Sequence, residues 1–526
     1  MGAPAVPGST ESPCGARSGV EWLCGYRRHV PNPSVLGLKP AQKENRVTAP
    51  TMASARAHDT PVHRTGILVI VLVSYFMIIL DNSIIFTGLP SIQAELGFST
   101  TGLSWIQDAY TLTFGGLLLL GARAGDILGR RRLFIIGLVI FTVASMAVAF
   151  SPSGGWMIGA RAFQGVGAAI VGPTSLALLT ATFPAGTERN QAVAWYAATA
   201  GIGASLGMVI GGVFADLVSW RAGFFINVPI GIVMILLGIR YLVEQPRSGG
   251  RFDVSGAVCS TLGMGALIFG IVSSAEAGWA SPATLGPIAA GVVLLVVLVV
   301  NEARVRQPIM PLRLFASRER SGAYAIRFLY LGAMMGFFFF ITQFLQEVFG
   351  WSPLQAGLGF LPMTVVNFGV ALLVPRLLRR TPPVVLLAVG VVATLVGMAW
   401  LSMVGADSTF VTGVALPMVL IGLGQGLTFA PLTSFGIHGV RSEDAGAASG
   451  VLNTAHQLGS SLGLAVLVTL GATAVGSGNS GRVADVVTRV DVALTGSSVM
   501  LAVASVVIAA VILPAYVIGR RRAATR

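Results

Sequence analysis

Three ionisable residues lie inside long apolar segments of the chain, where no water is at hand to stabilise a charge: Asp81, Asp108 and Arg161. Because a charge in hydrocarbon is costly, such residues usually handle an ion, a proton or a substrate. Counted at about 1.5 Å per residue from the segment ends, all three lie at one depth, in the outer third of a membrane. A nearby arginine favours a charged carboxylate and desolvation disfavours it, so the set could take up and release protons. The alternatives are a structural ion pair for Asp81 and Arg161, and an interfacial acid at a helix start for Asp108.

Other polar residues in apolar segments are weaker candidates. Arg327 could contact a substrate or a counter-ion, or could extend to the membrane interface as long basic side chains often do. His456 could titrate near neutral pH. Four amides could line a cavity or bond across helices: Asn227, Gln343, Gln346 and Asn453. Gln164 could line the cavity or orient the region of Arg161, and a structural role is the alternative.

Two further groups of residues favour mechanical roles. Asp126, Arg130 and Arg131 lie together at the cytoplasmic end of two predicted helices, where charges and helix ends can form a latch that holds one conformation; a cluster that only sets topology is the alternative. Glycines recur at small-xxx-small spacing in one segment and let helices approach closely. These glycines are Gly203, Gly207, Gly211 and Gly212.

All these residues must be positioned by helices that cross a membrane. The chain is 54% hydrophobic and only 10% charged, whereas a soluble chain of 526 residues would carry far more charge. Apolar runs of about 18 or more residues recur, long enough to cross a hydrocarbon core of about 30 Å as helices and too long for barrel strands. We therefore expect an all-α polytopic membrane protein. Fourteen runs qualify: 66–89, 103–122, 133–151, 155–176, 192–214, 223–242, 255–274, 284–302, 322–345, 355–376, 383–404, 410–436, 446–470 and 494–518.

The distribution of arginine predicts the topology. From Gly66 onward there are 26 arginines and no lysine, and with a cytoplasmic amino terminus 21 of them fall in or beside cytoplasmic loops and the carboxyl tail. This is the positive-inside pattern, and it places both termini in the cytoplasm. The net charge of +13 therefore reflects topology, and no basic stripe interleaved with aromatic residues indicates a nucleic-acid partner.

Nothing in the sequence supports catalysis, a metal or a cofactor. The three cysteines form no CxxC pair, the five histidines are scattered, and HExxH, GxSxG and phosphate-binding loop elements are absent. The lack of a nucleotide-binding loop argues against a primary pump. We predict a protein that is not an enzyme.

A repeat divides the membrane part of the chain. Short basic connections at 125–134 and 375–384 each follow the second helix of a six-helix group. They predict two related bundles, 65–243 and 320–518, with two inserted helices in 252–305. Parallel repeats of this kind place a substrate site near the midplane, and movement of one half against the other alternates its exposure.

The two ends of the chain are predicted to be cytoplasmic tails. Residues 1–64 are rich in Pro, Gly, Ala and basic side chains and lack the apolar core of a signal peptide, so we expect disorder. Both lysines of the chain precede Met52, which is an alternative translation start. Residues 519–526 form a basic tail.

Seven segments keep the order and spacing of motifs from one transporter family. They are LDNSIIFTGLP (80–90), ARAGDILGRRR (122–132), RAFQGVGAA (161–169), GASLGMVIGG (203–212), WRAGFFINVPIG (220–231), FLQEVFGWSPLQAGLGFLP (344–362) and AGAASGVLNTAHQLGSSLGLAV (445–466). Together they resemble the Major Facilitator Superfamily, and within it the fourteen-span drug:proton antiporters of the EmrB/QacA-like group. The chain departs from the usual motifs at three positions: Ser83 stands where threonine is usual, Phe86 where asparagine is usual, and Met208 where proline is usual.

The resemblance implies the major facilitator fold and assigns roles to motif residues. Asp81 and Arg161 would belong to proton coupling, with Asp108 as a further candidate. Asp126, Gly129, Arg130 and Arg131 match the loop signature of the superfamily. The glycine-rich segment matches the antiporter motif and would make a tight contact near the outer gate.

We therefore expect proton-driven efflux of hydrophobic, amphiphilic or cationic drugs across a bacterial cytoplasmic membrane. The expected protein is a monomer that alternates access, with the drug, protons and the lipid bilayer as its partners. One alternative is proton-linked or uncoupled transport of a metabolite. The other is a non-transporting membrane sensor, which the retained coupling residues and the lack of a large soluble domain disfavour.

Overall fold

The computed structural model describes residue 2 and residues 64–99, 101–184, 186–244, 247, 253–305, 308–441, 444–475 and 481–524. The predicted amino-terminal tail lies outside the described residues, except Gly2 and Arg64, and the first helix begins at Arg64. The alternative start at Met52 lies outside them as well. The described residues after residue 60 form one compact unit.

The regular structure of the described ranges is helical. Its α-helices are α1 (Arg64–Leu96), α2 (Trp105–Leu128), α3 (Arg130–Ala149), α4 (Gly154–Thr182), α5 (Thr187–Leu217), α6 (Trp220–Phe225), α7 (Asn227–Tyr241), α8 (Val254–Ala277), α9 (Pro282–Arg304), α10 (Arg318–Glu347), α11 (Pro353–Gly359), α12 (Leu361–Leu377), α13 (Pro383–Ser402), α14 (Leu416–Ile437), α15 (Ala445–Ala474), α16 (Arg482–Val507) and α17 (Leu513–Ala524). Short 3-10 helices lie at Gly102–Ser104 and Leu312–Ala316. A π-helical turn, Phe410–Ala415, leads into α14, and another, Ile508–Ile512, joins α16 to α17.

The predicted all-α membrane fold is confirmed. In the described ranges, 13 helices are long and apolar enough to cross a membrane. The remaining predicted run, 192–214, lies within the 31-residue helix α5, whose segment Leu206–Leu217 is apolar. The helix of the last predicted run, α16, begins at Arg482 rather than near residue 494, because Asp485, Arg489 and Asp491 lower the hydropathy of its first turns without interrupting the helix.

Two helical groups meet along a seam. In the first, α4 packs against α2 and α3, and α1 packs against α5, α4 and α7. In the second, α10 packs against α15, α16 and α14, and α13 packs against α14 and α16. The seam is formed mainly by α2 against α15 and by α5 against α11. The inserted helices α8 and α9 pair with each other, and α8 touches α2 and α15 at the edge of the seam.

Two glycines of α4 bring this helix close to its neighbours. A Cβ atom on Gly165 would lie 2.5 Å from the Tyr110 carbonyl oxygen of α2, and one on Gly167 would lie 2.7 Å from the Phe141 main-chain nitrogen of α3. Small residues allow such close approach of helices in membranes. This packing sets Arg161, one turn earlier on α4, beside the first turns of α2.

Candidate functional site

A buried ion pair joins α1 to α4. Arg161 Nη1 donates to Asp81 Oδ2 at 2.6 Å, and neither side chain is exposed. Removing two charges from water is costly, and their attraction offsets that cost only when the remaining donors and acceptors also have partners. The two residues, which the sequence places at one depth, are therefore direct partners.

The rest of this ion pair is well hydrogen-bonded. Asp81 Oδ1 accepts from Gln164 Nε2 and from Asn227 Nδ2, both at 2.8 Å. Arg161 donates through Nε to the Ile106 carbonyl oxygen at 3.0 Å and through Nη1 to Gln164 Oε1 at 2.7 Å. Helices α1, α2, α4 and α7 thus meet at one carboxylate and one guanidinium. A change in the charge of either group alters contacts on all four helices.

Three neighbours of Arg161 were missed by the sequence reasoning. The Arg161 Cζ atom lies 4.3 Å from the centre of the Tyr110 ring and 5.7 Å from that of Phe224. Gln107 Oε1 lies 3.5 Å from Arg161 Nη2. Gln107 carried a usable signal, since it is an amide inside an apolar run. An aromatic residue in such a run gives none, because most of them only pack.

Asp108 is fully buried but lies outside this network. In the described structure neither of its carboxylate oxygens has a hydrogen-bond partner. Two hydroxyls close to it donate elsewhere: Ser104 to the Thr101 carbonyl at 3.0 Å, and Ser461 of α15 to the main-chain oxygen of Asp108 at 3.1 Å. The residue therefore lies at the seam between the two groups. Asp108 lies in the first turn of α2, at a helix start as the alternative reading expected, and it is buried there.

The predicted latch residues lie at the turn between α2 and α3. Arg130 donates to Asp126 Oδ1 through Nη2 at 2.8 Å and through Nε at 3.1 Å. Gly129, with a φ of 109°, occupies the left-handed backbone region that favours glycine. Arg131 Nη2 donates to the Ile239 carbonyl of α7 at 2.7 Å. The turn is thereby attached to α7 within the first helical group.

The same turn has a partner that the sequence reasoning missed. Glu244, just after α7, accepts hydrogen bonds from the main-chain N–H groups of Arg131 and Arg132, both at 3.2 Å. An anion at a helix amino terminus is favoured by the helix dipole. Glu244 is remote from the turn in sequence, so only the fold reveals the contact.

The α5 glycines face two different helices. We call the end of the bundle that holds Leu89 and Pro353 the outer end, in keeping with the predicted topology. A Cβ atom on Gly211 would lie 2.6 Å from the Ile84 carbonyl oxygen of α1, and one on Gly212 would lie 2.7 Å from the Pro353 carbonyl oxygen. Gly203 and Gly207 likewise face α1. The α5 helix is continuous through Met208, which occupies the position where the family motif has proline.

The outer end is closed in this structure. Gln346 Nε2 of α10 donates to the Thr87 carbonyl of α1 at 3.1 Å. The Ser352 hydroxyl, which caps α11, donates to Asp216 of α5 at 2.8 Å. Both hydrogen bonds cross the seam, so opening this end requires that they break.

In the second helical group, Arg327 of α10 and His456 of α15 are direct partners. Arg327 Nη2 lies 3.0 Å from His456 Nδ1, and the Arg327 Cζ atom lies 4.6 Å from the centre of the Phe429 ring. The Arg327 residue is only 8% exposed. The guanidinium therefore does not extend to the membrane interface, and that alternative is wrong.

The remaining candidates for a substrate cavity are dispersed. Gln164 and Asn227 bond to Asp81, as described above. Gln343 donates to the Phe339 carbonyl of its own helix at 3.1 Å, and the exposed Asn453 donates to its own helix as well. Of the amides predicted for a cavity, Gln346 alone reaches across the seam in the described structure.

Two groups of membrane-crossing helices that meet along a seam, with buried charges between the helices, define a secondary transporter. Residues 71–464 match the Major Facilitator Superfamily. The cephamycin export protein CmcT of Amycolatopsis lactamdurans is 39% identical over 446 residues, which cover 84% of this chain and 91% of the relative. The puromycin resistance protein pur8 of Streptomyces alboniger is 36% identical over 435 residues, covering 81% and 86%. The chain belongs to the Major Facilitator Superfamily.

Solved structures agree on the fold. A bacterial homologue of the human lysosomal transporter Spinster, inward-facing and unoccupied, aligns with a TM-score of 0.62 at 15% identity, covering 85% of this chain and 96% of that one. The human organic anion transporter MFSD10 aligns with a TM-score of 0.59 at 16% identity, covering 85% and 99%. At these identities the likeness shows the fold alone.

Proposed function

We propose that this protein exports drug-like compounds across the bacterial cytoplasmic membrane in exchange for protons, as a monomer with both termini in the cytoplasm. The names of its relatives support the cargo class: one exports cephamycin, one confers puromycin resistance, and a third, from Streptomyces glaucescens, is a tetracenomycin C resistance and export protein. The observation that carries proton coupling is the buried Asp81–Arg161 pair.

The geometry of this pair supports a protonation switch. With Asp81 charged, three donors from Arg161, Gln164 and Asn227 hold its two oxygens. Protonation removes the charge that Arg161 neutralises and weakens all three hydrogen bonds. The guanidinium then keeps the Ile106 carbonyl and Gln164 Oε1 as acceptors, so it stays in place while α1 is released.

A switch of this kind drives transport only if the two conformations bind protons and cargo with different affinities. In the closed outer end seen here, α1 is held against α5 and α10. A proton from outside could reach Asp81 only when the outer end is open, after the drug has left, and by releasing α1 it would allow the protein to return to the outer-closed conformation. Deprotonation on the cytoplasmic side would restore the pair.

The test is drug accumulation in inverted membrane vesicles from an efflux-deficient host. A panel of puromycin, a cephamycin, tetracenomycin C and ethidium identifies a cargo first, with an uncoupler as control. Vesicles with the Asp81→Asn variant should fail to concentrate that drug when the vesicle interior is acidified, while drug exchange without a gradient persists. The matched control is Asp407→Asn, the same change at an exposed loop residue.

Two outcomes bear on the proposal separately. Undiminished acid-driven accumulation by Asp81→Asn would mean that the proton uses another residue, with Asp108 the next to test. A reporter fused after Arg522 should report a cytoplasmic location. A reporter inserted near Asn479, which lies outside the described residues, should report an external location. The reverse pattern would overturn the topology.

A further inference from the structure

The arginine of the second helical group lacks the counter-ion that Arg161 has. Arg327 forms no ion pair with any described carboxylate, and its Nε and Nη1 atoms are buried without a hydrogen-bond partner. Its contacts in the described structure are with His456 Nδ1, which accepts from Nη2, and with the Phe429 ring. These two neutral groups offset only part of the cost of a buried guanidinium.

Two stacked tyrosines of the first helical group lie within electrostatic range of this guanidinium. Tyr75 of α1 is close enough to interact electrostatically with Arg327, and its ring stacks on that of Tyr196 of α5 with centroids 3.9 Å apart. Both tyrosines are partly exposed. Counted from the inner starts of α1, α5 and α10, the three residues each lie about 14 to 17 Å deep. They therefore share one level on two sides of the seam.

We propose that Arg327 binds an oxyanion of the exported compound, in most cases a carboxylate, while the apolar body of the compound lies against Tyr75 and Tyr196. The unbonded N–H groups of Arg327 Nε and Nη1 supply donors for a carboxylate, and the cargo supplies the missing negative charge. The cargo class is then an amphiphilic anion, which agrees with the amphiphilic drugs expected from the sequence and departs from the cationic ones. This inference rests on the proposed export function and names the chemistry of its cargo.

The test compares three probes with one apolar body: 2-naphthylacetate, 2-naphthylacetamide and 2-(2-naphthyl)ethylamine. Binding to the purified full chain in dodecyl maltoside is measured by calorimetry, with empty micelles as blank. A charge-assisted bond to Arg327 should make the carboxylate bind at least about tenfold tighter than the amide, and tighter still than the amine. Equal binding of carboxylate and amide, or preference for the amine, overturns the proposal without need of any variant.

Variants then locate the preference. In Arg327→Gln, the dissociation constants of the carboxylate and amide probes should differ by no more than about twofold. Arg327→Lys should keep most of the preference because it keeps the charge. Arg482→Gln, a change at an exposed arginine, should leave both dissociation constants unchanged. A preference that survives in folded Arg327→Gln would place the anion elsewhere and refute the assignment. Phosphatidylglycerol is the competing oxyanion: if it displaces 2-naphthylacetate from wild type and binds more tightly, the ligand is a lipid and the cargo assignment fails.

The outcome is independent of proton coupling. Binding in detergent needs no proton gradient, and Asp407→Asn, a change at an exposed loop residue, should bind 2-naphthylacetate like wild type. If the vesicles concentrate a drug but the protein binds carboxylate and amide probes equally, this inference is refuted and the export function stands. If the protein prefers the carboxylate probe but the vesicles concentrate no drug, anion binding at Arg327 stands and the export function is refuted.

Discussion

Replacing Arg161 should lower the free energy of unfolding more than replacing its partner Asp81. In Arg161→Gln, Asp81 Oδ2 loses its partner at 2.6 Å, while Gln164 and Asn227 continue to serve only Oδ1. A buried charge whose partner is removed typically costs about 3 to 5 kcal/mol of the free energy of unfolding. We expect Arg161→Gln to fall in this range.

The opposite change should cost less. In Asp81→Asn, Arg161 keeps the Ile106 carbonyl, Gln164 Oε1 and the face of Tyr110. The loss is then close to one charge-assisted hydrogen bond, about 1.5 to 3 kcal/mol. The double variant removes both charges, so its cost should fall below the sum of the single costs by at least about 1 kcal/mol.

The measurement is unfolding in mixed micelles, followed for wild type, both single variants and the double variant. The matched control is the same cycle at Glu95 and Arg221, which form an equally short pair at 2.6 Å but are partly exposed. There the coupling should stay below about 1 kcal/mol. If the Asp81 and Arg161 costs add within about 0.5 kcal/mol, the pair is not an energetic unit and the protonation switch loses its basis.

Three further predictions concern the ends of the bundle. Asp126→Asn should lower transport turnover while membrane insertion and drug binding stay near wild type, because the residue lies at the inner turn, away from both buried arginines; loss of binding at normal expression would contradict the latch. Glu244→Gln should lower the free energy of unfolding by about 1 kcal/mol, since a neutral amide caps α3 more weakly, and unchanged mixed-micelle unfolding would refute that role. Gly212→Val should separate α5 from Pro353 and open the outer end, so that a cysteine at Ser352 becomes more reactive to an external thiol reagent; unchanged labelling would show that this contact does not close the gate.

The helical membrane fold can be predicted from the sequence because the lipid bilayer offers the backbone no hydrogen-bond partners. Every apolar run must satisfy its backbone hydrogen bonds internally, so a run of sufficient length is a helix wherever it lies. Hydropathy alone misplaces the start of α16. This helix begins at Arg482, in turns that carry charged residues, because helix formation does not require that every turn lie in lipid. The packing order of the helices, such as α8 against both α2 and α15, depends on contacts between distant segments that a single sequence does not reveal.

The charged members of the candidate site were the most predictable from the sequence, followed by the amides inside apolar runs. Asp81 and Arg161 stand out because a charge in an apolar run is rare and costly. Tyr110 and Phe224 contact the same guanidinium, yet nothing distinguishes them from aromatic residues that only pack. Asn227 shows a further limit: its amide was a candidate for a cavity, but its only partner in the described structure is Asp81 Oδ1. Residue type indicates that a group needs a partner, and the fold decides which one.

One helix connects the proposed parts of the mechanism. On α1, Tyr75 lies at the level of Arg327 of the second group, Asp81 pairs with Arg161, and the Thr87 carbonyl accepts the hydrogen bond of Gln346 at the outer end. Tyr75, Asp81 and Thr87 are six residues apart, so each step along the helix is about 9 Å. A rigid α1 that shifts when Asp81 is protonated must therefore disturb the cargo contact on one side and the outer closure on the other. Coupling in this protein then needs no chain of intermediate residues, because the proton, the cargo and the gate act on the same helix.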